Sequence, residues 1–391
     1  GSVEAARHAM ELTFLHWGLS GWGVYTLDGM ALAFFSYRRG LPLTIRSALY
    51  PVLGRRIHGG LGHAVDIAAV LATVFGIATS LGIGIIQLNH GLNDVFGVPE
   101  SAAVQGLLAV LIVVSAAVSA ALGVARGIRR LSEFNMLLAL GFLLFVLLAG
   151  DTKVLLESLI VNLRDYLGEF VALSFNRHAS PPTAEWMNAW TLFFWAWWIA
   201  WGPFVGMFLA RISRGRTIRS FVVGTLALPM AFMAAWMSVM GNSAIELVTS
   251  GAADFGEAAV TTPGSALYGF LHQLPLTAVT TVVVTLLAVV FFVTSGDSGS
   301  LVLANYTSKR TSKHTSKHTS KPGVAAADGP VWLRVLWAAV IGALTLALLL
   351  AGGLQTLQSA VVIMGLPFAV VLLLMAWGLF LGLREEMKRI A

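Results

Sequence analysis

Nine apolar stretches separated by polar loops divide the chain, near residues 9–36, 63–88, 102–124, 131–150, 187–212, 219–242, 276–303, 331–352 and 359–382. Each is about 20 residues or longer, the length an α-helix needs to cross the hydrocarbon core of a bilayer. The pattern predicts an all-α integral membrane protein with nine spans. One stretch has a different rhythm. Residues 153–170, KVLLESLIVNLRDYLGEF, place apolar side chains at helical spacing among charges. They predict an amphipathic helix on the external surface, within a connector at 151–186 that joins two halves.

The loops carry charge in an alternating order. Arg38, Arg39, Arg46, Arg55 and Arg56 follow the first span, whereas 89–101 has no lysine or arginine. Arg126, Arg129 and Arg130 come next, then the external connector, then Arg211, Arg214, Arg216 and Arg219. Residues 243–275 again have no lysine or arginine, and both the 304–330 loop and the terminal REEMKR are basic. Basic loops stay in the cytoplasm, so the order places residue 1 outside and the C-terminus inside. An odd number of further helices is therefore expected upstream, and Gly1-Ser2 reads as a cloning scar. TSKRTSKHTSKHTSK, Thr307 to Lys321, repeats a short polar basic unit and reads as a solvated cytoplasmic loop.

Composition agrees: 57% of residues are hydrophobic and 11% charged, against about 25% charged in soluble domains. The absence of cysteine excludes disulfides and thiolate metal sites. The net charge of +6 is accounted for by the basic loops and does not imply nucleic acid. No metal-ligand spacing, phosphate-cradling glycine loop or nucleophile–base set occurs, so an enzyme has little support and no cofactor is implied.

Five of the twelve tryptophans lie between Trp190 and Trp201, in WTLFFWAWWIAWGPFVG. That is too deep for an interfacial belt. Spacings of three, four and seven put Trp190, Trp197, Trp198 and Trp201 toward one side of a helix. A second group, Trp17, Trp22 and Tyr25 in HWGLSGWGVY, falls within about 140° of arc. Gly18, Ser20, Gly21 and Gly23 lie among them and permit close approach by a helix or a ligand. Facing one another, the two groups make a cage for a bulky, weakly hydrated cation; otherwise they are core packing.

FFVTSGDSGS, Phe291 to Ser300, sets Thr294, Ser295, Asp297 and Ser298 inside a span. Such hydroxyls either bind a coupling ion or hydrogen-bond a neighbouring helix. Glycines also interrupt the second span at GIATSLGIG, and Pro367 in GLPF should kink the last one. Asp28 is a carboxylate well inside the first span, three residues past Tyr25, with no partner that sequence identifies. Asp66 suits the N-terminal dipole of the second span. His16 and His90 read as packed or interfacial residues.

WTLFFWAWWIAWGPFVGMFLARISRGRTIRSFVVG resembles the signature of the betaine/choline/carnitine transporter family. YRRGLPLTIRSALYPVLG, VFGIATSLGIGIIQLNHGL, FFVTSGDSG and VVIMGLPF match it in the same order, over about residues 9–386, and are most similar to its BetT-type choline-transporting branch. The resemblance implies twelve helices, ten of them in two inverted five-helix repeats of the LeuT type, with this chain as the fourth to twelfth. Residues 1–150 would then be the remainder of the first repeat, 151–186 the connector and 187–391 the second repeat. The family's aromatic box maps onto Trp17, Trp22, Tyr25, Trp197, Trp198 and Trp201, with Phe204 on the cytoplasmic route. Phe291, Thr294 and Ser295 map onto one side of a sodium site. At a second sodium position, where sodium-coupled members place two threonines, this chain has Thr73 and Ile77. Ile77 offers no oxygen, which favours proton coupling. Asp28 departs from the family pattern, and no role is carried over to it.

The reading is a secondary transporter of the bacterial inner membrane that imports choline with protons, as a homotrimer. The alternatives are sodium-coupled uptake of glycine betaine or carnitine, and a truncated chain that binds its ligand without transport. A channel has less support, because the hydroxyls are scattered.

Overall fold

The computed structural model describes residues 2–122, 125–175, 181–308 and 329–390; most of the TSK repeats lie outside these. The described residues are helical with no strand. The long helices are α1 (Val3–Trp17), α2 (Leu19–Ala33), α3 (Gly60–Phe96), α4 (Ala102–Leu122), α5 (Ala125–Ala149), α6 (Thr152–Phe175), α7 (Phe193–Ile212), α8 (Ile218–Thr249), α9 (Thr277–Thr307) and α10 (Val331–Ile390). Seven helices among the described residues are long and apolar enough to cross a membrane.

The difference from nine predicted spans comes from both ends of the chain. The first predicted span is broken at Gly18, which leaves its helical conformation (φ −98°, ψ −136°) and divides α1 from α2. The break frees the Leu19 N–H, which donates to the Tyr166 hydroxyl of α6 at 3.0 Å. A buried backbone donor without a partner is costly, so α6 completes the break that it covers. At the other end, α10 runs through both predicted last spans. Its backbone is non-helical at Gly352 and Gly353, where Gly353 has φ 60°. Only glycine takes that conformation without strain. The interruption lies there and not at Pro367, through which the helical backbone continues.

The amphipathic helix predicted at 153–170 is α6. It buries Leu155, Asn162 and Tyr166 on one face against α1 and α8, and Asn162 donates to Ser238 at 3.1 Å. Residues 243–275, read as an external loop, hold the last turns of α8 and two short helices, Ala253–Thr261 and Ala266–Leu271. Asp66 lies beyond the first turn of α3. Its carboxylate pairs with Arg46 and accepts from the Arg46 backbone N–H at 3.3 Å, so it pins the turn after α2 instead of capping a helix dipole. His16 and His90 are packed, as expected. His16 is buried, stacks on Phe194 (4.8 Å, 1°) and bonds Thr191, and His90 bonds Glu100.

At the centre, α7 crosses α2, α3 and α10. The hydrophobic core follows this crossing, with Trp198, Ala200, Met207 and Ala210 of α7 packed among Tyr25, Leu32, Ala72 and Phe368. A π-helical turn, Asn188–Leu192, precedes α7. It inserts extra backbone between Trp190 and the later tryptophans, which changes the register assumed for an uninterrupted helix.

Candidate substrate cavity

A cavity of about 570 Å³ opens among α1, α2, α3, α7, α9 and α10, within the usual size range of small-molecule sites. Trp17 and Tyr25 line one wall, and Trp197, Trp198 and Trp201 another. Phe291 and Ser295 of α9 complete it, and Pro263 and Gly264 from the segment before α9 also line it. The ring geometry is that of a packed aromatic cluster. Trp17 meets Trp197 and Trp198 edge-on at 6.0 and 6.1 Å, and Tyr25 lies 4.8 Å from Trp198. The two groups predicted on separate helices therefore do face each other.

Two members of the predicted box support the walls without lining them. Trp22 packs perpendicular to Tyr25 at 5.6 Å and against Trp198 at 5.7 Å. Phe204 packs edge-on against Trp201 at 5.2 Å. Neither is among the residues at the cavity surface.

Three of the four tryptophans of α7, those at the cavity, are held in two directions. Trp198 donates its indole N–H to the His16 carbonyl at 2.7 Å, and its ring fills the space above Gly21, where any Cβ would collide with it. Trp197 and Trp201, four residues apart, turn to α3 instead. Trp197 donates to the Ser80 hydroxyl at 2.9 Å; Trp201 donates to both Ser80 and the Gly76 carbonyl at 3.1 Å. Sequence spacing grouped Trp198 with Trp201, but their hydrogen bonds divide them. Ser80 is a cavity-lining position that the pattern missed. Its signal was its place inside the glycine-interrupted GIATSLGIG, next to Thr79, whose hydroxyl donates to the Leu357 carbonyl of α10 instead.

Among the described residues, no Asp, Glu, Lys, Arg or His lines the cavity. Its polar groups are hydroxyls and amides: Tyr25, Ser80, Ser295, Gln87 and Gln358. The attraction available to a ligand is thus that of aromatic faces for a cation, assisted by a few neutral hydrogen-bonding groups.

The four residues read as an ion-coupling set separate on α9. Phe291 and Ser295 face the cavity. The Thr294 hydroxyl turns back to the carbonyls of Val290 and Phe291 at 2.9 and 3.1 Å. Asp297 is buried, with Ser119 and Arg334 as its polar neighbours. Thr73 likewise donates to its own helix, at Ala69, and Ile77 packs where Gly299 leaves room for it. Among the described residues, no group of three His, Cys, Asp or Glu side chains is placed to hold a metal ion.

Comparison with known proteins places this geometry in a family. The chain is 51% identical over 385 residues to the high-affinity choline transport protein of Escherichia coli (strain K12), covering 98% of this chain and 55% of that protein. It is 48% identical over 386 residues to the osmo-dependent choline transporter BetT2 of Acinetobacter baylyi, covering 98% of this chain and 54% of that protein. It is also 39% identical over 388 residues to the glycine betaine transporter OpuD of Bacillus subtilis, covering 99% of this chain and 72% of that one. The chain thus spans about half the length of these two choline transporters. The betaine/carnitine/choline family transporter profile matches residues 1–388. Family, helices and cavity agree, and the chain belongs to the betaine/carnitine/choline family of membrane transporters.

Proposed function

We propose that this protein takes up choline, a quaternary ammonium compound, by proton-coupled alternating access. The observation that carries the reading is a cavity walled by Trp17, Tyr25, Trp197, Trp198 and Trp201 with no acidic or basic side chain at its surface. A trimethylammonium head donates no hydrogen bond and suits aromatic faces better than any other cation. Choline's remaining group is a hydroxyl, which serine, glutamine or tyrosine can satisfy. Glycine betaine would bring a carboxylate to a surface without lysine or arginine, so the cavity favours choline. Trp22 and Phe204 hold the box together from behind.

Thr294, Ser295 and Asp297, with Phe291, form the ion-coupling segment of α9 in this reading. The self-bonded Thr73 hydroxyl and the apolar Ile77 support protons over sodium. Residues 1–150 and 187–391 are read as belonging to the two inverted repeats, with 151–186 as their connector. The protein is placed in a bacterial inner membrane, with residue 1 external and the C-terminus cytoplasmic, as a homotrimer.

Flux of labelled choline and labelled glycine betaine in proteoliposomes tests the reading, with sodium and pH gradients imposed separately. The expected result is choline uptake that follows the pH gradient and ignores sodium. Sodium-dependent betaine uptake without choline transport would refute it.

A further inference from the structure

Asp28 is 0% exposed, and neither of its carboxyl oxygens has a hydrogen-bond partner among the described residues. It faces α7 at two glycines. A Cβ on Gly202 would collide with Asp28 Oδ2, and one on Gly206 with the Asp28 Cβ. The helix that carries three cavity tryptophans therefore closes over this carboxyl with bare backbone. Between the two glycines is Pro203, which supplies no N–H to the α7 hydrogen-bond ladder. Its carbonyl instead accepts from the Tyr306 hydroxyl of α9 at 2.7 Å. Asp28 itself does not line the cavity, but it lies one turn after Tyr25, which does.

A charged carboxylate sealed here would have neither water nor a donor to replace its hydration. The neutral acid fits, since it needs far less solvation. The surroundings offer little to offset a charge. The ionisable groups that interact with Asp28 electrostatically are Tyr25 on its own helix and Tyr306 on α9. Asp66, paired with Arg46, and Arg211 act on Tyr306. α8 places Phe221 near Gly29 and Thr225 on Thr26, and α10 brings Phe368 beside Gly202. Asp297, the other buried acid in the core, has Ser119 and Arg334 for company.

We propose that, together with the α9 segment, Asp28 carries the coupling proton, held in this conformation and released only when α2 and α7 part. The inference rests on the proton-driven choline reading above. Its mechanical basis is that Tyr25 of α2 and Trp197, Trp198 and Trp201 of α7 line the cavity from facing sides. Ionising Asp28 demands a donor or water, and either requires the glycine contact to open beside the Pro203 interruption. The proton and the closed cavity are thereby linked, as coupled transport requires.

The test uses the full-length protein in proteoliposomes, with the membrane voltage held at zero and a pH gradient of one unit. Unaltered protein should concentrate labelled choline about tenfold per coupled proton, since one pH unit is a factor of ten in proton activity. Asp28→Asn keeps the size of the side chain but cannot release a proton. It should show no accumulation above equilibrium while choline–choline exchange continues. Accumulation by D28N equal to that of the unaltered protein overturns the assignment alone. An unaltered protein driven by sodium and indifferent to the pH gradient overturns the transport reading as well. Should D28N fail to assemble, Asp28→Glu decides. It should retain the pH-driven accumulation with a displaced pH midpoint for choline binding, and an unmoved midpoint overturns the proposal.

Discussion

Gly21 and Gly23 stand two residues apart on α2, and alanine should have opposite effects at the two sites. At Gly23 an added Cβ meets nothing within 4 Å. Gly23→Ala should therefore show only the backbone gain, about 0.5–1 kcal/mol of helix stability. At Gly21 the same methyl would enter the Trp198 ring. The ring has nowhere to go, being held by its hydrogen bond to the His16 carbonyl and flanked by Trp17, Trp22 and Tyr25. Overpacking of this kind costs about 1–3 kcal/mol. After the backbone gain, Gly21→Ala should be destabilising by up to about 2 kcal/mol. Displacing one wall of the cavity should also remove about 0.5–2 kcal/mol of cation–π attraction, which weakens choline binding roughly 2- to 30-fold. Thermal unfolding in detergent and quenching of tryptophan fluorescence by choline measure the two effects. G21A should lower the melting temperature and the affinity, whereas G23A should leave affinity unchanged and melt no earlier. Two variants that melt and bind alike would refute the claim that Gly21 exists to seat Trp198.

Two further outcomes follow from the same structure. Ser80→Ala removes the acceptor of the Trp197 indole N–H, whereas Trp201 keeps the Gly76 carbonyl. One neutral hydrogen bond is worth about 0.5–1.5 kcal/mol, so choline affinity should fall about two- to tenfold, read by the same quenching titration, with Ser80→Thr largely preserving it. Near the C-terminus, the Arg38 guanidinium hydrogen-bonded to Glu386 lowers that carboxyl below its ordinary value. A depressed acid contributes stability above its unfolded pKa and loses it as pH falls through its folded one. The α2–α10 contact should thus weaken on acidification below about pH 4–5. Melting followed against pH should show that dependence reduced in Glu386→Gln.

Much of the architecture was legible because hydrophobic length and period are one-dimensional properties. Apolar runs separated by basic or uncharged loops predict helices whatever they pack against, and α3 to α5 and α8 follow their predicted ranges to within a few residues at most ends. The helix α6 was equally legible from its own periodicity. Helix ends and interruptions were not. Gly18 breaks the first span because Tyr166, about 150 residues away in sequence, offers the freed N–H an acceptor. Nothing near Gly18 announces that partner. Asp66 was misread for the same reason, since its pairing with Arg46 depends on how the chain turns after α2.

The site divides in the same way. Residue type and spacing, local quantities written along one helix, were enough to choose Trp17, Trp22, Tyr25, Trp197, Trp198 and Trp201 and to suggest a quaternary ammonium cation. Which of those rings reach the cavity was settled by helices crossing in space. Trp198 goes to Gly21 and the His16 carbonyl, Trp197 and Trp201 go to Ser80, and Trp22 and Phe204 stay behind the wall. Asp28 shows the limit most sharply. Its sequence position marks an unusual charge in an apolar span, but its isolation arises where Gly202 and Gly206 of a distant helix exclude both water and donors. Solvation is a property of the volume around a group, and that volume forms only when the helices pack.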